Sequence, residues 1–288
     1  MRSICNSVIS VLTLVVCASS VSLFAQASID QRPVSATVSA AEPLFSVAAP
    51  VSTWDFDQVV QKPAGPPPTP RHTGIIAMVK GLGSDVKHLP SRQNLFILSI
   101  GGGLALIAHP FDDDVNRRLT NNHSAERFFK PGAVMGELGT LLGGAATVYA
   151  VGRLKDEPKV SHLGMDLIRS LAISEGVTQT LKYTTRRERP DHSSRNSFPS
   201  GHAADTFAFA TALERHLGWR GAAPAYVFAS YVALSRMPAN RHWLSDAVFG
   251  AAVGVVAGRT VTRHGREYPV ALTVVPGGAA VVYVRRNK

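Results

Sequence analysis

Cysteine is scarce in this chain of 288 residues: there are two copies, Cys5 and Cys17, and both lie near the amino terminus. Charged residues are also few, at 17% of the chain, whereas hydrophobic residues make up 45%. This composition excludes an intrinsically disordered protein, because disordered chains have too few apolar residues to build a core. The length is sufficient for one large compact domain or two small ones.

The amino-terminal segment is predicted to be a secretory signal peptide over residues 1–27. It has a positive charge at Arg2, an apolar run over residues 8–16 and small residues at the end of the segment. An uncleaved anchor is the alternative, although the run is short for a membrane span of about 20 residues. Cleavage would remove both cysteines, which excludes disulfides and thiolate metal sites and fits export to an oxidising compartment.

Acidic residues are fewer than basic ones, with 20 aspartates and glutamates against 30 lysines and arginines. The excess favours an anionic partner, either a phosphorylated lipid or small-molecule substrate or an anionic membrane surface. Nucleic acid is not expected, because no basic stripe is interleaved with aromatic residues and export would remove the usual target. The sequence carries no signal for an oligomeric state.

The chain divides by composition into four predicted parts. Residues 28–72 are rich in Ala, Ser, Val and Pro and form a linker. Residues 73–265 form a helical domain, with predicted helices over 73–86, 95–109, 133–151, 162–183, 202–217, 222–237 and 242–263. Residues 266–288 contain two strand-forming runs around Pro276-Gly277-Gly278, which predicts a hairpin. The predicted fold class is an all-α helical bundle with a short C-terminal β-hairpin.

Long, clean hydrophobic runs are lacking. Residues 95–109, 133–151 and 247–257 are apolar enough for a bilayer, but the first and last are short and Glu137 lies within the second. The pattern favours a soluble or peripherally bound bundle, with an embedded bundle as the alternative. The predicted location is the periplasm or the cell envelope.

Three polar segments lie between the apolar helices of the carboxyl-terminal half. They contain cations, a flexible turn and two histidines, a combination that suits a phosphate-like oxyanion. The first is Lys182 with Arg189-Pro190; the second is Pro199-Ser200-Gly201-His202; the third is Ser235-Arg236 with His242 and Asp246.

His242 and Asp246 are four residues apart and are expected to share one face of a helix. A carboxylate there can hold one imidazole nitrogen protonated and direct the other at a reacting phosphorus. The pair alone also fits half a metal site or a surface ion pair. Three converging cations, Lys182, Arg189 and Arg236, would repel a divalent metal and stabilise an anion, so no metal is predicted at this site.

Ser200 and Gly201 precede a predicted helix, whose free N–H groups and dipole favour an anion. Gly201 permits a close backbone approach, and Ser200 can donate a further hydrogen bond. His202 is then placed to protonate a departing oxygen. An ordinary helix cap beside a surface histidine is the alternative. Arg186, Arg187 and Glu188 are expected to line the approach or the surface.

Together the three segments resemble the type 2 phosphatidic acid phosphatase superfamily, which includes lipid phosphatases, bacterial non-specific acid phosphatases and vanadium haloperoxidases. Every signature position is present, and the resemblance covers roughly Leu163 to Arg259. It implies a metal-independent phosphatase without a cofactor, in which vanadate would act as a phosphate mimic. It further implies that His242 attacks phosphorus to give a phosphohistidine, that Asp246 orients it, and that His202 is the acid and base. Lys182, Arg189, Ser200, Gly201 and Arg236 would bind the phosphoryl oxygens.

The apolar bundle, the basic charge and export favour a lipid phosphate or a polyprenyl pyrophosphate as substrate. Asn196-Ser197-Phe198 ahead of Pro199 also resembles the lipid-phosphatase branch. The alternatives are a soluble acid phosphatase for small phosphomonoesters, a vanadium haloperoxidase, and an envelope protein that binds anions without catalysis.

Overall fold

A computed structural model describes residues 66–70, 73–120 and 122–263, together with the backbone of residues 270–275 and 278–283. The predicted signal peptide lies outside the described residues, and so does the predicted linker except for residues 66–70. The predicted domain boundary at residues 265 and 266 lies outside them as well.

The described residues form nine α-helices, joined by short connections, and the predicted all-α class is confirmed. In chain order the helices are α1 Ile75–His88, α2 Arg92–Ala108, α3 Asp112–Thr120, α4 His123–Met135, α5 Leu138–Leu154, α6 Pro158–Thr185, α7 Gly201–Leu217, α8 Trp219–Ser235 and α9 Leu244–Val261, with a 3₁₀ turn at His109–Phe111. Two strands, β1 Val270–Val275 and β2 Gly278–Tyr283, pair antiparallel where the sequence predicts a hairpin.

The helices differ from the predicted ones mainly at three points, while the other predicted ends are shifted by up to four residues. Helix α3 was not predicted; it is polar, and its acidic first turn and basic last turn complement the helix dipole. Most of α4 was not predicted either, because it begins at His123, ten residues before the helix predicted over residues 133–151. That predicted helix is divided, because the backbone leaves the helical path at Gly136 and α5 starts after Glu137. Helix α9 begins at Leu244, so His242 lies in the connecting loop.

Helix α9 lies at the centre of the bundle and packs against α7, α2 and α6. All but two of its 18 residues are buried. The sequence explains this position, because the helix is apolar on every face and therefore has no side suited to water. Its many glycines and alanines let the neighbouring helices approach closely.

Helices α9 and α7 approach each other closely at glycines that face the backbone of α7 and of its N-cap. A Cβ atom at Gly254 would lie 2.2 Å from the carbonyl oxygen of Ala204, and one at Gly250 would lie 2.6 Å from that of Ser200. The backbone N–H of Ser200 also donates to the carbonyl oxygen of Asp246 at 3.0 Å. The contact therefore places the start of α7 directly against the start of α9, where two of the motifs lie.

Two helical stretches are long and apolar enough to cross a membrane, Arg92–Thr120 and Leu244–Val261. Helices α4 and α5 pass the same test as a pair bent by 49°. The bundle buries 89% of the residues of α9. It buries only 22% of the most apolar 18-residue segment within Arg92–Thr120, where Leu95, Leu106 and Ile107 are exposed. By length and composition these helices indicate a membrane-associated protein, and they favour the embedded alternative over a soluble bundle.

Replacing Gly254 by alanine is expected to lower the melting temperature, because the new methyl group would clash with the Ala204 carbonyl oxygen. Overpacking of this kind costs about 1–3 kcal/mol. Gly143→Ala on α5 is the matched control, since nothing lies within 4 Å of its added Cβ and alanine favours a helix by roughly 0.5–1 kcal/mol. Thermal unfolding in detergent compares the two variants; equal melting temperatures would contradict the close α7–α9 contact.

Candidate active site

The three motif segments meet where α6 ends and where α7 and α9 begin. Lys182 lies in the last turn of α6, and Arg189 lies in the loop over residues 186–200 that follows. Arg236 is the C-cap of α8. The loop is held to the helices by short hydrogen bonds, so residues up to 64 positions apart in sequence form one site.

His242 is 3% exposed and is held through one ring nitrogen. Its Nδ1 lies 2.7 Å from the carbonyl oxygen of Ser197, so Nδ1 must be the donor. The same atom lies 3.7 Å from Oδ2 of Asp246, which is an ion-pair distance rather than a hydrogen bond. Because Nδ1 carries the proton, the neutral ring has its lone pair on Nε2. Burial lowers the pKa of His242, while Asp246 opposes that shift.

The carboxylate of Asp246 is fully buried and surrounded by donors. The hydroxyl of Ser197 and the backbone N–H of Trp243 donate to Oδ2, the latter at 2.9 Å. Arg187 Nη1 donates to Oδ1 at 2.6 Å. Ser197 therefore forms hydrogen bonds with both members of the predicted pair: its hydroxyl donates to Asp246, and its carbonyl oxygen accepts from His242.

Two residues that sequence reasoning missed complete this network. Arg187, expected on the approach or the surface, reaches inward and also donates from Nη2 to Asp112 Oδ2 at 2.7 Å. Asp112, the first residue of α3, accepts a hydrogen bond from the backbone N–H of Ser245 at 2.9 Å and so caps the amino end of α9. The acidic run Asp112-Asp113-Asp114 was a signal for a helix start, but no local pattern shows that it faces Asp246.

His202 lies in the first turn of α7, whose N-cap is Ser200. The Ser200 hydroxyl is turned to the helix and accepts from the backbone N–H of Ala203 at 3.5 Å. The ring of His202 donates from Nε2 to the carbonyl oxygen of Ala133, on α4, at 3.1 Å. Burial, and next Arg236, lowers the pKa of His202 to about 4. His202 is therefore neutral near pH 7 while no anion is bound.

The three predicted cations lie close together, with Lys182 buried and Arg189 and Arg236 half-buried. Lys182 donates to the carbonyl oxygen of Asn196 at 3.0 Å, but Nε of Arg189 and Nε of Arg236 are buried without a hydrogen-bond partner. Burial and then Arg189 lower the pKa of Lys182. Burial, followed by Arg241 and Arg189, lowers the pKa of Arg236 to about 10. An anion among these groups would reduce the electrostatic repulsion between the cations and accept hydrogen bonds from the unpaired N–H groups.

The geometry defines an all-α protein in which buried and half-buried imidazoles and cations form one cluster suited to a tetrahedral oxyanion. The site offers one imidazole with a free nitrogen lone pair, a second imidazole at a helix start, and a cluster of cations with unpaired donors. Such a set can bind an oxyanion, attack it and pass protons to and from it.

Comparison with known proteins identifies the family. Residues 163–267 match the model of the PAP2 superfamily. This region carries every motif position, so the resemblance to the type 2 phosphatidic acid phosphatase superfamily is confirmed for this part of the chain.

Two curated relatives match the same part of the chain. Lipid A 1-phosphatase of Porphyromonas gingivalis is 42% identical over 91 residues, which are 31% of this chain and 20% of that protein. Decaprenylphosphoryl-5-phosphoribose phosphatase of Mycobacterium tuberculosis is 32% identical over 102 residues, which are 32% of this chain and 56% of that protein. The chain thus spans about a fifth and just over half of the lengths of these relatives.

Two solved structures are also similar. Aquifex aeolicus LpxE has a TM-score of 0.45 and 22% identity, with 53% of this chain and 95% of that chain covered. The transmembrane PAP2 type phosphatidylglycerolphosphate phosphatase of Bacillus subtilis has a TM-score of 0.48 and 19% identity, with 59% of this chain and 92% of that chain covered.

Replacing Arg187 by alanine is expected to lower kcat by roughly 10–100-fold, with a smaller change in KM, because the residue holds Asp246 rather than the substrate. Arg187→Lys, which keeps the charge, should recover part of the rate. Arg195→Ala removes an exposed cation from the same loop and is the control for a general loss of charge. Steady-state kinetics measure all three variants. An unchanged kcat in Arg187→Ala would rule out this positioning role.

Proposed function

We propose that this protein is a metal-independent phosphatase that hydrolyses a phosphate ester or a pyrophosphate of a lipid through a phosphohistidine intermediate. The observation that carries the proposal is the position of His242, whose Nδ1 is held by Ser197 so that Nε2 keeps its lone pair. The unpaired Nε atoms of Arg189 and Arg236 supply donors for the phosphoryl oxygens. Three cations make the site unfavourable for a divalent metal.

In the first step Nε2 of His242 forms a bond to phosphorus as the bond from phosphorus to the leaving oxygen breaks. His202 gives its proton to that oxygen, so the leaving group departs neutral. The phosphorylated ring carries a positive charge, because Nδ1 keeps its proton on the Ser197 carbonyl oxygen. The buried Asp246 carboxylate, 3.7 Å from Nδ1, stabilises that charge.

In the second step His202, now neutral, removes a proton from water, and the resulting hydroxide attacks phosphorus. The bond between nitrogen and phosphorus breaks, phosphate leaves, and the electron pair returns to Nε2 of His242. Lys182, Arg189, Arg236 and the Gly201 backbone N–H hold the phosphoryl oxygens in both steps. The Ser200 hydroxyl, an N-cap acceptor in the free protein, can still donate its own proton to one of them.

The lipid character of the substrate rests on the surface of the bundle. Large apolar side chains are exposed along α1 and α2 and around the break between α4 and α5, among them Ile75, Ile76, Phe96, Phe128 and Val134. Exposed apolar surface on this scale suits a membrane rather than water. His202 contacts Ala133 within that apolar region, so the active site adjoins the surface that a lipid would approach. The two curated relatives are named for phosphorylated lipids.

The predicted signal peptide supports a location in the cell envelope, with the active site on the exported side. A soluble acid phosphatase would instead prefer small phosphomonoesters. A vanadium haloperoxidase would release no phosphate, and a non-catalytic anion-binding protein would not depend on His242.

The decisive measurement is phosphate release in EDTA from phosphatidic acid, a polyprenyl pyrophosphate, lipid A and p-nitrophenyl phosphate. His242→Ala should lower kcat by about 10⁴-fold or more, because it removes the nucleophile. His202→Ala should lower kcat by about 10²–10⁴-fold with little change in KM, because it removes the acid. His192→Ala, which removes an exposed imidazole from the same loop, should have no effect.

Rapid quenching in alkali, in which phosphohistidine survives, should trap labelled phosphate on the wild-type chain and none on His242→Ala. Equal release by His242→Ala and the wild type would identify another nucleophile. Preference for p-nitrophenyl phosphate over every lipid would favour the soluble alternative.

The pH dependence should separate the free protein from the complex. Activity requires neutral His242 and protonated His202, and burial with Arg236 lowers the pKa of His202 to about 4 in the free protein. The kcat/KM should therefore fall as pH rises above about 4, after correction for ionisation of the substrate. A bound phosphoryl anion stabilises the imidazolium, so kcat should fall at a higher pH. Measurement of kcat and of kcat/KM from pH 3 to 9 tests this prediction. A fall of both parameters at the same pH would contradict it.

A further inference from the structure

Far from the motif residues, two histidines and an aspartate form a buried cluster. His162 and Asp166 lie one turn apart near the start of α6, and His216 lies in the last turn of α7. Nε2 of His216 is 3.0 Å from Oδ2 of Asp166, and Nε2 of His162 is 3.3 Å from the same oxygen. From sequence these histidines carry no motif, because His216 is separated from His162 and Asp166 by most of α6, the loop over residues 186–200 and most of α7.

We propose that His162, Asp166 and His216 form a binding site for one divalent transition-metal ion, with Zn²⁺ as the best fit, that ties α6 to α7. The three ligand atoms lie within 4.8 Å of one another. Two imidazoles and one carboxylate are a ligand set that Zn²⁺ accepts with water in the fourth position.

The surroundings orient the carboxylate for this role. Arg169 Nη1 lies 3.2 Å from Oδ1 of Asp166, which leaves Oδ2 to face both imidazoles. Oδ1 has no hydrogen-bond partner, although Asp166 is 1% exposed. Outer partners of this kind fix the orientation of metal ligands in known sites.

The nearby charges balance one another before a cation enters. Arg169 Nε donates to Asp85 on α1 at 2.8 Å, and Arg263 also pairs with Asp85. Two carboxylates therefore face two guanidinium groups. A cavity of about 350 Å³ reaches this cluster, and its lining includes His162, Asp166 and Pro67. The cavity supplies room for a metal-bound water and a path for the ion.

The ion would stabilise the fold without entering the reaction. His162 and Lys182 are 20 residues apart on one continuous helix, which separates the cluster from the phosphoryl site by roughly 30 Å. The cross-link would join the remote ends of α6 and α7, the two helices between which the loop with Arg187, Arg189 and Ser197 runs. It stands independently of the proposed phosphatase activity.

The test uses the full chain purified without a polyhistidine tag. Metal analysis after Zn²⁺ loading and gel filtration should give one ion per chain, and Co²⁺ should give a visible absorption band of tetrahedral type. Zn²⁺ should raise the melting temperature, whereas EDTA should lower it and leave kcat unchanged well below that temperature. His162→Ala and His216→Ala should each weaken Co²⁺ binding by at least roughly 100-fold, since loss of an outer partner alone costs 10–100-fold.

His123→Ala, which removes an exposed histidine on α4, is the control and should bind Co²⁺ as the wild type does. If an alanine variant does not fold, Asp166→Asn replaces it in the test, because it keeps the size of the side chain and removes the charge of the proposed ligand. Absence of a Co²⁺ band in the wild type would overturn the proposal and leave a hydrogen-bonded cluster. Equal Co²⁺ binding by the wild type and by both histidine variants would overturn it too.

Discussion

The close contact between α7 and α9 is the constraint on which the site depends. The glycines of α9 let the two backbones approach to a distance that any side chain would prevent. Where α7 and α9 begin, the Ser200 backbone N–H donates a hydrogen bond to the Asp246 backbone carbonyl oxygen. The helix start that is suited to an anion is thereby fixed beside the segment that carries His242. Two packed helices therefore fix this part of the site, whereas His242 lies in the loop before α9 and is held there by Ser197.

The charged side chains around the site fall into two groups, which differ in how their charges are compensated. Asp112 and Asp246 both pair with Arg187, and these ion pairs connect α3, the loop over residues 186–200 and α9. The cations Lys182, Arg189 and Arg236 have the opposite character, because they repel one another and two of them keep unpaired donors. The first group is paired within the protein, whereas the second would pair with the phosphoryl group of the proposed substrate. A folded protein holds such an unbalanced cluster where binding requires it.

The sequence predicted the motif residues because their chemistry is unusual for their positions. Two histidines, an aspartate and three cations seldom lie between apolar helices unless they bind a ligand, and their order along the chain matches a known family. The contacts of Arg187 and Ser197 with the site were not predicted, because an arginine or a serine in a polar loop is common and indicates no particular role. The division of residues 133–151 at Gly136 was missed as well, since the apolar pattern continues through the break. His162 and His216 carry no local pattern at all.

The sequence by itself determined the all-α class, the resemblance to a phosphatase family and which histidines and cations to expect in one cluster, because these follow from local periodicity and from residue types at short spacing. The tertiary structure alone decided which partner holds each side chain. Ser197 rather than Asp246 hydrogen-bonds His242, Arg187 joins Asp246 to Asp112, and His216 meets Asp166 across 50 residues. These contacts depend on how helices pack, and packing is set by distant surfaces that no short stretch of sequence encodes.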